Sequence, residues 1–340
     1  MENKKNRILF IDYFKAFLMC FVILGHINYA NEGIKAWIYS FHMPAFFFAS
    51  GLMINFSSPF DTSKTFQKYL YKLVLPYFLW ALIFAKLIFP NLAKILYGSY
   101  RYIADAGALT SLWFLPVMFV SIIFFFFFTK MFKQHFSIWV KSLIAVISFA
   151  IGFSLPKMKI GYPWSVNVAF VALGFMLLGN VSRFYLFRFY EYLKSARNWI
   201  MPLVLSVIMF LTTIIYKMNI PEYGFILMGD ARYGDPLLFL STSFGGILMM
   251  LSFSIFISLI TREKNVRSLS FIGQNTLCLF AVQKPIIQFY RYFFNYINLP
   301  NFVVLLIVLV GTLAVSSLMT LFINRYLPAF VGRKPEKSGS

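Results

Sequence analysis

Carboxylates are scarce in this chain, with 11 Asp and Glu among 340 residues against 31 Lys and Arg. Histidine is limited to three and cysteine to two. Cys20 and Cys278 lie in separate apolar runs with no Cys-x-x-Cys spacing, so neither a disulfide framework nor a zinc site is indicated, and both read as small packing residues. No glycine-rich phosphate loop, His-Glu-x-x-His, Gly-x-Ser-x-Gly or Cys/His metal cluster occurs. Those absences remove the motif support for nucleotide hydrolysis, zinc peptidase and serine hydrolase chemistry. Charged residues make up only 12% of the chain. A soluble domain of that makeup would lack the polar surface to cover itself.

What fills the sequence instead is apolar: 60% hydrophobic residues, including 44 Phe and 20 Tyr, with a mean hydropathy of +0.75. Repeated apolar runs of near 20 residues predict an all-α, polytopic membrane bundle. Ten transmembrane helices can be drawn, at about 8–28, 35–54, 72–90, 112–129, 139–155, 165–181, 199–216, 237–260, 271–290 and 302–323. With the N-terminus in the cytoplasm, twenty of the 31 Lys and Arg fall in inner segments and eight in outer ones. Lys15, Lys86 and Lys284 are left within spans. This bias predicts that both termini are cytoplasmic. Because the net charge of +20 is dispersed as short clusters between apolar runs, it encodes topology and does not suggest nucleic acid as a partner. Lys4, Lys5 and Arg7 precede an apolar run with no small-residue cleavage site, so that run reads as a retained first span and not a signal peptide.

Loops are short, which leaves no room for a soluble catalytic domain. The longest outer segments, near 91–111 and 217–236, carry Asp105, Glu222, Asp230, Arg232 and Asp235. The chain therefore divides into one transmembrane domain over 1–328 and a tail over 329–340, whose GRKPEKSGS sequence predicts disorder.

Chemistry concentrates in the first fifty residues. The first span carries Asp12, Lys15 and His26, and the second carries His42. Ionisable side chains in an apolar span are costly and point to function. On a helix Lys15 lies roughly 60° from Asp12, and His26 roughly 40° from Asp12, so all three share one face. Lys15 and His26 are also about 16 Å apart along the axis, so a ligand served by both must be long. His26 reads either as a general base able to take a proton from an alcohol or as an interfacial histidine bonded to a backbone carbonyl. Lys15 can pair with Asp12 at i, i+3, and it reads as a cationic anchor or as a snorkelling side chain. His42 stands two residues before Pro44, which frees a backbone carbonyl. It reads as a site residue or as the group that satisfies that carbonyl. Trp113 and Pro116, and Pro163 and Trp164, suit interfacial anchoring. Lys284 and Lys86 each read as snorkelling or cavity-lining cations.

Several segments, taken together and in order, resemble the integral-membrane acyltransferase family 3, in its branch of fucose 4-O-acetylase-like proteins. They are Asp12-x-x-Lys15 with His26 following ten residues on, and Phe41-His42-Met43-Pro44 running into Phe48-Ala49-Ser50-Gly51. Leu75-Pro76-Tyr77, Leu112-Trp113-Phe114-Leu115-Pro116 and Phe271-Ile272-Gly273-Gln274-Asn275-Thr276-Leu277 complete the set. The resemblance spans about residues 7–323. It implies about ten helices and transfer of an acyl group, commonly acetyl from acetyl-CoA, to a hydroxyl of a cell-surface or lipid-linked glycan. It implies a multi-pass protein of the plasma membrane with membrane lipid around it and no permanently bound cofactor. It also assigns the functional signature to Lys15 and His26, with Lys15 meeting the acyl-CoA, His26 as general base, and Asp12 and His42 beside them. Two departures stand out. Many relatives carry Arg where this chain has Lys15, and Lys lacks the planar bidentate fork. Gln283 occupies a position where similar proteins often have His. A transporter or flippase for a glycan or small polar solute is the alternative, but the charged span occurs once and no internal repeat supports duplicated halves.

Overall fold

The computed structural model describes residues 8–54, 62–84, 89–104, 107–220, 224–262, 264, 266–297 and 299–333. The chain runs through α1 (Leu9–His26), α2 (Glu32–Tyr39), α3 (His42–Met53) and α4 (Thr62–Tyr69), then a π-helical turn, Leu70–Val74, into α5 (Leu75–Phe84). Next come α6 (Phe89–Tyr97), α7 (Tyr100–Ile103), a 3₁₀ segment at Gly107–Trp113, α8 (Phe114–Phe132) and α9 (Ile138–Ser154). The rest comprises α10 (Val166–Ser195), α11 (Ile200–Thr213), α12 (Pro236–Ile260), α13 (Arg267–Gln274), α14 (Thr276–Phe294) and α15 (Asn301–Tyr326). Among the described residues there is no strand, only one isolated bridge between Leu227 and Arg232. This is an all-α membrane bundle. Six of its helical segments are each long and apolar enough to cross a membrane, by length and composition.

Burial separates centre from rim. Helix α1 has 61% of its length inside the protein, whereas α11 has 17% and α15 22%. The charged first span is therefore central, packed against α3, α12, α13 and α14. The outward faces of α11 and α15 expose Val204, Val207, Leu211, Val310, Leu318 and Phe322, as helices solvated by lipid do.

Small residues let the inner helices approach. A side chain at Gly51 of α3 would put its Cβ 1.9 Å from the Met176 carbonyl oxygen of α10, and one at Gly179 would come 2.2 Å from that of Phe48. Lipid tails are as apolar as leucine, so close backbone packing of this kind is what drives such helices together. Beside this contact the buried Asn180 donates to the carbonyls of Ile54 (2.9 Å) and Gly51 (3.3 Å), and accepts from Lys141 at 2.8 Å. It thereby supplies a donor to the Ile54 carbonyl just past the end of α3 and a second one to that of Gly51, which also accepts from the Ile54 N–H.

Three of the expected spans are interrupted. The apolar run 35–54 divides at Ser40–Phe41 into α2 and α3. The run 72–90 opens in the π-helical turn just before Pro76, which has no N–H to donate and so widens the ladder ahead of it. The run 271–290 breaks at Asn275, whose amide donates to Phe271 (2.7 Å) and whose carbonyl oxygen accepts from Asn324 (2.9 Å) and Arg333 (3.0 Å). Asn275 thus pins the α13–α14 corner to α15 and the chain end.

The chain just after α15 folds back onto α5. Residues 328–331 form a 3₁₀ turn in which Phe330 stacks edge-on against Trp80 and accepts from its indole N–H at 3.0 Å. The Arg333 carbonyl accepts from Tyr71 at 3.2 Å. The remainder, 334–340, lies outside the described residues, as do Asp105 and Glu222.

Candidate active site

His26 is the last residue of α1, and His42 opens α3. In each, Nδ1 lies against a carbonyl one turn back: Val22 at 2.7 Å for His26, Ile38 at 2.8 Å for His42. A carbonyl only accepts, so Nδ1 carries the proton in both. In the neutral rings Nε2 is then the lone-pair nitrogen, the form a general base requires. Tyr39 stands between them, its ring centroid 6.3 Å from that of His26 and 4.9 Å from that of His42. Gly25 makes room for this contact, because a Cβ there would sit 3.0 Å from the Tyr39 ring.

Both histidines line one cavity of about 90 Å³, together with Tyr39, Tyr100, Trp113 and Lys284. Leu227, Met228 and Gly229 belong to its wall. Gly229 packs so closely on Tyr100 and Trp113 that an added Cβ would meet their rings at 2.7 and 2.9 Å. This loop is held by the buried Asp230, which pairs with Arg101 of α7 and with Arg232. Asn219 fixes its far end by donating to the Tyr233 and Asp235 carbonyls at 3.0 and 3.2 Å.

A second cavity, of about 360 Å³, lies along the same helix toward its N-terminus. Lys15 and Lys72 are its charged lining, and Met19, Phe46, Met53, Met118 and Leu277 are among its apolar walls. Met43 and Phe280 line both cavities, so they form the partition between them. Asp12 lines neither. Its carboxylate sits 3.3 Å from the Lys15 ammonium, and its backbone carbonyl is the surface on which Gly273 of α13 packs, 2.0 Å from where a Cβ would be. Of the four expected site residues, the structure brings His26 and His42 together, gives Lys15 to the second cavity, and leaves Asp12 as the partner that orients Lys15.

The carbonyl expected to be freed by Pro44 belongs to Ser40, and it accepts from the Ser243 hydroxyl at 2.8 Å. His42 bonds elsewhere, so its ring is not the repair. Trp113, which suits an interfacial anchor by sequence, is 7% exposed and lines the histidine cavity. Its signal was the motif Leu112–Pro116, whose Phe114 and Leu115 line the lysine cavity. Leu75-Pro76-Tyr77 does not reach either cavity; its Tyr77 hydroxyl donates to Ile95 at 2.8 Å and braces α5 on α6. Lys284, left undecided by sequence reasoning, lines the histidine cavity; Lys86, left undecided with it, lies outside the described residues.

A small cavity holding two histidines, beside a larger apolar one that bears lysines, can support general-base chemistry on a ligand that spans both. Comparison with known families agrees: the family model described as the acyltransferase domain (Acyl_transf_3) matches residues 8–321. The chain belongs to that family, and it is a membrane acyltransferase. No curated protein and no solved structure matches it.

Proposed function

We propose that the protein transfers a short acyl group, acetyl in the first instance, from acyl-CoA to a hydroxyl of a cell-surface or lipid-linked glycan at the plasma membrane. The observation that carries this reading is the pair of cavities sharing Met43 and Phe280, one cationic and apolar, the other bearing two histidines. In this reading the donor's phosphates meet Lys15 and Lys72 at the cytoplasmic end. Its thin arm follows the apolar passage, and the thioester carbonyl passes the partition into the histidine cavity. The glycan hydroxyl arrives from the opposite side. His26 Nε2 takes its proton as the oxygen attacks, and returns it to the departing thiolate. His42, across Tyr39, orients the hydroxyl. The histidine cavity has the volume of about three water molecules, which suits an acetyl group and one hydroxyl and disfavours long acyl chains.

The test is transfer from radiolabelled acetyl-CoA in membranes with and without the protein, followed by counting label in lipid-linked, polymeric and soluble glycan fractions. Label that depends on the protein and is released by mild base, as an O-ester is, supports the reading. Movement of a glycan across the membrane with no covalent label would replace it with transport.

A further inference from the structure

Lys284 has a position that snorkelling does not explain. It lies mid-helix in α14, beside Pro285, and lines the same cavity as His26 and His42. A cation held there is costly unless something answers its charge. The described carboxylates are all occupied elsewhere. Asp12 holds Lys15, Asp230 holds Arg101 and Arg232, and Asp235 caps α12 by accepting from Leu238. Glu32 and Glu191 lie near Lys35 and Lys194 on exposed surface. Among the described residues Lys284 has neither an ion pair nor a hydrogen bond. No described carboxylate answers its charge.

The size and neighbours of the cavity narrow what would answer the Lys284 charge. A space of about 90 Å³ walled by Tyr39, Tyr100, Trp113 and Phe280 leaves little room for a solvated phosphate. Its lining does include both histidines, whose Nδ1 bonds to backbone leave Nε2 as the lone-pair nitrogen in the neutral rings. We propose that Lys284 is a catalytic residue that stabilises the oxyanion formed from the thioester carbonyl. This inference rests on the acyl-transfer reading above. As the acceptor hydroxyl loses its proton to His26 Nε2, its oxygen forms a bond to the acyl carbon. The carbonyl π pair moves onto oxygen beside the ammonium. When that pair returns, the carbon–sulfur bond breaks and the thiolate takes the proton from His26. A preformed cation in a water-poor site favours that charge without reorganising at the moment of reaction.

The experiment compares wild type, Lys284→Met and Lys284→Cys in purified, detergent-solubilised form, with labelled acetyl-CoA and the glycan fraction found to accept label. The expected result is a kcat for K284M lower by about 100- to 1,000-fold, with little change in either KM. Alkylthiolation of K284C by an aminoethyl reagent, which restores an ammonium at similar reach, is expected to recover activity, and a neutral methyl reagent is not. Wild type carrying Cys20 and Cys278 is treated identically as the control. A K284M that keeps its kcat, or loses only acceptor affinity, overturns the proposal and leaves acyl transfer standing. An inactive K284C that neither reagent restores also overturns it, since a structural role is then sufficient. Absence of transfer by wild type defeats the acyl-transfer reading and this inference with it.

Discussion

The lysine cavity and the histidine cavity are lined by the same helix, α1, yet they have little else in common. The first is about four times larger, at about 360 against 90 Å³, and is walled mostly by Met, Phe and Leu with its charge at Lys15 and Lys72. The second gathers two histidines, a lysine and two tyrosines into a small space closed by a loop that Asp230 locks. An apolar passage with charge at one end suits holding and threading a long ligand. A small chamber with oriented lone pairs suits chemistry on a few atoms. The comparison teaches that one membrane helix can line two cavities of different character at separate heights, with Met43 and Phe280 common to both; in the proposed reading one binds and the other reacts.

That division can be broken at several points. The largest effect belongs to the chamber: His26→Ala is expected to lower kcat by about 100- to 10,000-fold, with donor affinity retained, measured by steady-state transfer at equal protein levels. In the passage, Lys15→Met is expected to raise the KM for acyl-CoA by about tenfold, the equivalent of about 1.4 kcal/mol, with kcat nearly unchanged. A drop in kcat of the H26A size from this variant would mean that the two cavities do not act separately. The partition is probed by Phe280→Leu, which enlarges the route into the chamber. Preference for butanoyl over acetyl donor is then expected to rise by up to about tenfold, since each buried methylene is worth about 0.8 kcal/mol. The smallest effect belongs to the backbone beneath His42. Ser243→Ala leaves the Ser40 carbonyl without its partner and is expected to cost about 1–3 kcal/mol of stability. The readouts are a lowered melting temperature and a kcat reduced several-fold with donor KM unchanged.

Much of this arrangement was legible in the sequence, and what was not has identifiable physical causes. The stripe of Asp12, Lys15 and His26 follows from helical spacing alone, and the Asp12–Lys15 pair forms as that spacing predicts. All-α membrane architecture follows from composition. The division of 35–54 was hidden because Trp37 through Leu52 is apolar in the main, with Ser40, His42 and Ser50 as its polar interruptions, and hydropathy does not register a corner repaired by Ser243 from another helix. Lys284 was left undecided, and Trp113 read as an interfacial anchor, for the same reason. A snorkelling lysine and a cavity lysine have identical local sequence, and so do an interfacial and a buried tryptophan; only packing against distant helices separates them. The docking of Phe330 on Trp80 was not legible either, because its partner lies 250 residues away in the sequence.

The central claim is that donor and acceptor reach His26 from opposite ends of α1. It is tested most directly in sealed proteoliposomes with the orientation of the N-terminus fixed by protease accessibility of a tag. Labelled acetyl-CoA is supplied on one side only and acceptor glycan on the other. The account predicts transfer across the bilayer when the donor is on the N-terminal side, and none when the sides are exchanged. Transfer only when donor and acceptor share a side would contradict it.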